Sequence, residues 1–166
     1  MNIQDALKGA NPDYQRWVFG KNPYNTNCQR CVVAYELRRR GRDVKAKPNP
    51  GDARYPYEIF TDKDGNDIAF SPGYTETEIK KFTETAPNGA RHCIYTKWDD
   101  GSGDSHVFIS ENENGKTIYA DPQNGSDDVS WYFANGKKNS FRYFRMDDKQ
   151  IKDDENLINE FVEVKL

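Results

Sequence analysis

From residue 91 onward the chain repeatedly alternates apolar and polar residues in short runs separated by turn formers, and this pattern constrains the fold most. It predicts strands over 91–98, 105–110, 116–121, 141–146 and 160–164. Asn114–Gly115, between the second and third runs, is the strongest short-range hairpin signal, because both residues tolerate the positive φ a tight primed turn needs. The first half reads differently. CVVAYELRRRG predicts a helix from Cys28, with Asn27 at its N-cap, Gly41 as its stop, and Arg38, Arg39 and Arg40 as a solvated end complementing the dipole. Thr75-Glu76-Thr77-Glu78 is a capping box that starts a second helix over 76–85. A short strand ends at Pro48, and residues 48–73 are loop-like around a hairpin turn at Asp64–Gly65. Helices first and consecutive antiparallel strands after them give an α+β fold, with the N-terminal helices packed on an antiparallel β-sheet.

At 166 residues the chain fits a single domain, with 1–18 as an N-terminal segment (weakly amphipathic through Ile3, Leu7, Tyr14 and Trp17) and the core over about 19–166. The loop beginning at Phe19 leads into Asn27. A mean hydropathy of −1.03 beside ten Tyr, nine Phe and three Trp points to a small aromatic core under polar loops. The net charge of −3 gives no field for nucleic acid or anionic lipid, so neither is an expected partner. No apolar run approaches membrane-spanning length, and the first five residues lack the pattern of a secretion signal. Export would then take another route, or the chain is a module of a larger protein.

Three cysteines exclude a full disulfide framework. Cys28 in the first turn of a helix gains from the positive end of the dipole, which favours the nucleophilic thiolate, and the exposed amides there can hold an oxyanion. Asn25 or Asn27 adds a side-chain donor in this reading. His106 and Asp121 flank the Asn114–Gly115 hairpin and should meet across it, the carboxylate fixing the imidazole's tautomer. His92, beside Cys93 in mid-strand, reads as structural. The predicted catalytic set is therefore Cys28, His106 and Asp121, with Asn27 as an oxyanion or auxiliary residue, and it needs no metal or other cofactor.

These residues also carry a family resemblance. NCQRCVVAYELRRRG, SHVF around His106 and YADPQNG around Asp121 resemble the Tox-PL papain-fold toxin family, over about residues 11–146. The resemblance implies a papain-like cysteine enzyme fold and a protein-glutamine deamidase used as a bacterial toxin or effector. It maps the nucleophile to Cys28 rather than Cys31, the base to His106, the aspartate to Asp121, and the glutamine of DPQ to Gln123. Ser105 stands where the family often has glycine. It further implies a protein substrate in the cytosol of a target or host cell, a cognate immunity protein as partner, and delivery without a Sec signal, as a module of a larger secreted or phage-linked protein.

The residues leave other readings open. A cysteine protease and a transglutaminase-like acyl transferase use the same thioester. Cys28, Cys31, Cys93 and His92 would make a Cys₃His set for a non-catalytic zinc-stabilised binding module. Cys28 and Cys31 would also form a reversible disulfide. Asp62-Lys63-Asp64-Gly65-Asn66-Asp67 is a turn and not a calcium loop, since its glycine falls at the fourth position and not the sixth.

Overall fold

Asn114 and Gly115 both take positive φ, 53° and 79°, and the hairpin they close organises the molecule. The computed structural model describes residues 1–16 and 20–165; Trp17 and Phe19 lie outside the described residues. The elements run α1 (Ile3–Ala10), α2 (Cys28–Arg39), β1 (Val44–Ala46), a 3₁₀ turn (Pro56–Ile59), β2 (Phe60–Thr61), β3 (Ser71–Pro72) and α3 (Glu76–Glu84). They continue with β4 (Arg91–Lys97), β5 (Ser105–Glu113), β6 (Lys116–Ala120), α4 (Tyr132–Asn135), β7 (Arg142–Arg145), β8 (Gln150–Ile151), α5 (Glu155–Ile158) and β9 (Val162–Val164). The main sheet has the order β3-β7-β4-β5-β6 and every pair in it is antiparallel. Two further two-stranded pairs, β1 with β9 and β2 with β8, close the flank. The helix-plus-antiparallel-sheet architecture agrees with the expectation from element order.

Half of the capping box forms: Thr75 Oγ1 accepts from the Glu78 amide at 3.2 Å, while Glu78 Oε1 takes the Thr75 hydroxyl at 3.3 Å in place of the Thr75 amide. At α2 the expectation is corrected. Asn27 occupies the N-cap position, but its side chain makes no cap; its carbonyl starts the helix by accepting from the Arg30 and Cys31 amides.

Alternation along the strands divides the core into two layers. Cys93, Val107, Ile109 and Ala120 face α2 and its Val32, Val33 and Leu37, with Ile3, Ala6, Leu7 and Ala10 of α1 in the same cluster. Ile94, Phe108 and Tyr119 face the other way, against Ile79 of α3 and Tyr132 and Phe133 of α4. Helix α2 is thus enclosed almost all round, which explains why its apolar residues do not form one clean stripe. Helix α1, within the N-terminal segment, is part of the larger cluster.

The arginines at the end of α2 are not a solvated end. Arg38 donates to Asp43, to the Val44 carbonyl and to the Asp5 carbonyl. Arg39 grips Glu111 through Nε and Nη2, at 3.0 and 2.6 Å. Arg40 reaches Glu36 at 2.7 Å and the carbonyls of Met146 and Lys149. Glu36 and Glu111 are themselves buried, and Arg91 from β4 completes the Glu36 pair at 2.7 Å. Charges taken out of water must be paired, and these are.

Candidate active site

Arg39 on Glu111 fixes where the other end of α2 lies. Cys28 to Arg39 rises about 16.5 Å at 1.5 Å per residue, and β5 from His106 to Glu111 rises about 17 Å at 3.4 Å per residue. A helix locked to β5 at Glu111 therefore delivers its first turn to the level of His106. Cys28, His106, Asp121 and Gln123 line one cavity of about 740 Å³, together with Trp98 and Trp131.

His106 Nε2 meets Asp121 Oδ2 at 2.8 Å, and both side chains are almost wholly buried. The two are not directly opposite, as the hairpin alone suggests. His106 pairs with Thr96 on β4, and the β5–β6 register places Asp121 across from Phe108, two residues inward. The contact is diagonal, within the reach of side chains on one face. Asp121 stands just past the end of β6, where its amide bonds to the Ser126 carbonyl.

Burial opposes the charged imidazolium, but the Asp121 carboxylate and the neighbouring Cys28 outweigh it and hold His106 well above its ordinary range. Burial likewise works against ionised Asp121, yet His106, the Tyr132 hydroxyl and the Gln123 amide keep its carboxyl below the usual carboxylate range. Imidazolium and carboxylate therefore stabilise each other. Because Asp121 engages Nε2, Nδ1 is the ring nitrogen left for a reacting group. The Cys28 thiol donates to Gln29 Oε1 at 3.5 Å. The helix's bonding to the Asn27 carbonyl begins at the Arg30 and Cys31 amides, so the Cys28 and Gln29 amides ahead of them have no carbonyl one turn earlier to bond.

Asn27, expected as an oxyanion or auxiliary residue, has its amide engaged by other partners in this arrangement. It is completely buried, and Nδ2 is engaged by Asn11 Oδ1 at 3.1 Å and the Lys47 carbonyl at 3.0 Å. Its Oδ1 accepts from Cys31 Sγ at 3.3 Å and, at 3.5 Å, from Gln123 Nε2. Asn25 lines the cavity, but its Nδ2 is committed to the Gln15 carbonyl at 3.1 Å. Asn27 thus ties α1, the β1 end, α2 and the loop after Asp121 together. Asn27→Ala is expected to lower stability by about 2–4 kcal/mol, because several buried partners lose their bonds at once. The measurement is the urea midpoint; an unchanged midpoint with a hundredfold slower turnover would restore the oxyanion role.

His92 lies elsewhere. It is buried between Ser110 and Arg145 in the sheet register, and burial pushes it down to about 4, so it stays neutral. His92 and Cys93 are consecutive on β4 and point to opposite faces, so the Cys₃His zinc set is not assembled. Among the described residues no three of His, Cys, Asp and Glu are grouped to hold a metal ion. All three cysteines are free and buried, and burial pushes the Cys31 and Cys93 thiols far up.

Two residues at the site, Trp98 and Tyr132, carry no sequence signature that singles them out, and a third, Asn124, stands in the YADPQNG stretch without a predicted role. Trp98 stacks on His106, with ring centroids 5.6 Å apart and planes at 24°. Tyr132 donates its hydroxyl to Asp121 Oδ2 at 2.6 Å. Asn124 donates to that hydroxyl at 3.2 Å. For Tyr132 the aromatic run from Trp131 to Phe133 reads equally as core.

The family described as papain fold toxin 1, glutamine deamidase, matches residues 26–126, which hold Cys28, His106, Asp121 and Gln123. The chain belongs to that family. The match begins two residues before Cys28 and ends five after Asp121, so Tyr132 and Trp131 fall beyond it. Neither a curated protein nor a solved structure matches the chain. No described helix is long and apolar enough to cross a membrane.

Proposed function

We propose that this chain is a single papain-like domain that deamidates a glutamine side chain of a target protein through Cys28, His106 and Asp121. The observation that carries the reading is the His106 Nε2–Asp121 contact at the mouth of the α2 N-terminus, which leaves Nδ1 for the Cys28 thiol in a shared cavity. Cys28 gives its proton to His106 Nδ1, and the thiolate attacks the carboxamide carbon. The carbonyl oxygen becomes an oxyanion that the first-turn amides of α2 can receive. His106 returns its proton to the departing nitrogen, the carbon–nitrogen bond breaks, and ammonia leaves a thioester on Cys28. Water, deprotonated by His106, then attacks the thioester, releasing glutamate and the thiol. Asp121 holds the ring and offsets the imidazolium charge throughout.

The product replaces a neutral hydrogen-bonding amide with an anion, enough to disable a surface that depends on the amide. The setting we infer is a bacterial toxin or effector module acting in the cytosol of a target cell, with a cognate immunity protein as its partner in the producing cell. Protease and transglutaminase readings share the thioester and separate by product. The test is expression in bacterial and eukaryotic cytosol beside Cys28→Ala, followed by proteome-wide mass analysis. Glutamine-to-glutamate conversion that requires Cys28 is expected. Backbone cleavage, amine cross-linking, or no Cys28-dependent change would each overturn the deamidase.

A further inference from the structure

We propose that Tyr132 is a positioning residue that holds Asp121 ionised and facing His106, with Asn124 setting the direction of the tyrosine hydroxyl. The inference rests on the Cys28–His106–Asp121 reading and extends it to α4, outside the matched family segment. Three donors converge on the Asp121 carboxylate. Oδ2 accepts from Tyr132 at 2.6 Å and lies 2.8 Å from His106 Nε2, and Oδ1 accepts from the Gln123 amide at 2.9 Å. A tyrosine hydroxyl has one proton. With Asn124 Nδ2 donating to its oxygen at 3.2 Å, that proton is directed to Asp121. Oδ2 then acts only as an acceptor, so His106 must carry its proton on Nε2 and present Nδ1 to Cys28.

The ring has little room to swing. It packs edge to face with Trp98 at 5.2 Å, Phe108 at 5.4 Å, His106 at 5.7 Å and Trp131 at 4.7 Å. The titratable groups that act on Asp121 are His106 from β5 and Tyr132 from α4; Cys31 from α2 feels the Asp121 charge, Cys28 from α2 acts on His106, and Tyr14 acts on Tyr132 from the N-terminal segment. Without the hydroxyl, Asp121 takes up a proton at higher pH. The imidazolium beside Cys28 then loses its counter-charge at higher pH too.

The experiment is the pH dependence of Cys28 alkylation by iodoacetamide, read by peptide mass mapping, in the wild type and in Tyr132→Phe. The wild type should alkylate quickly at Cys28 in mildly acidic solution. Tyr132→Phe should move the acid edge upward by about one pH unit, the effect of losing one hydrogen bond to a charged group. Turnover should fall about tenfold through kcat with KM unchanged. A wild type without acid-side alkylation defeats the triad reading itself. A normal wild-type edge with an unmoved edge in Tyr132→Phe defeats the role of Tyr132 alone, whatever happens to its melting temperature. Should Tyr132→Phe not fold, Asn124→Ala decides: a smaller upward shift supports the inference and an unmoved edge overturns it.

Discussion

Cys28→Ala and His106→Ala should each lower glutamine deamidation by about 10⁵-fold or more, and the double variant should be no worse than either single one. The non-additivity is the informative part. A thiol whose proton has nowhere to go is a poor nucleophile, and an imidazole without a thiol has nothing to activate, so removing either abolishes the same step. Asp121→Asn should cost about 10⁴-fold, because an amide donates where a carboxylate accepts and turns the imidazole to the wrong tautomer. Cys31→Ser should stay within a few-fold of wild type, since Cys31 is fully buried, directs its sulfur at Asn27 and does not line the cavity. Steady-state ammonia release against a glutamine-containing protein or peptide gives all five values. Comparable losses in Cys31→Ser and Cys28→Ala, or additive losses in the double variant, would place the chemistry elsewhere.

What the sequence makes legible is local. The Asn114–Gly115 turn, the Thr75 side-chain cap and the alternation through Arg91–Lys97 each depend on residues a few positions apart, and each forms as expected. The cavity residues Cys28, His106 and Asp121 could be named because few residue types do their chemistry and the chain has only two histidines. What stays illegible depends on distant partners. Asn27 looks like a cap until Asn11 and Lys47 arrive from other elements to engage its amide. Tyr132 sits in an aromatic run indistinguishable from core until the loop after Asp121 folds back. The two-residue strands β2, β3 and β8 have no pattern of their own and exist only because a partner pairs with them. Arg38–Arg40 reads as exposed because three consecutive cations usually are; here carboxylates from β5 and α2, and carbonyls near both chain ends, surround them.

Glu111→Ala should destabilise the protein by about 3–5 kcal/mol, the usual cost of breaking a buried ion pair from one side. For a chain of this size that is roughly a 10 °C fall in Tm. Glu111 is 1 % exposed and receives Arg39 through two nitrogens and the Tyr35 hydroxyl at 2.7 Å. Burial first, and Glu111 second, drive the Tyr35 hydroxyl far above its ordinary range, so that it remains a donor. Truncating Glu111 leaves a guanidinium and a phenol without partners in the interior, whereas replacing Glu111, Arg39 and Tyr35 together by Leu, Met and Phe should recover most of the stability. The two variants then separate stability from geometry. The Arg39–Glu111 clamp sets how far α2 slides along β5, and a slide of one helical residue, about 1.5 Å, is enough to take Cys28 out of reach of His106. A repacked triple variant with wild-type Tm but strongly reduced turnover, while Cys28 stays accessible to alkylation, is the expected signature of a clamp that places the nucleophile. Full activity in that variant would mean that packing of Val32, Val33 and Leu37 alone fixes the helix, and that the buried charges serve only to satisfy one another.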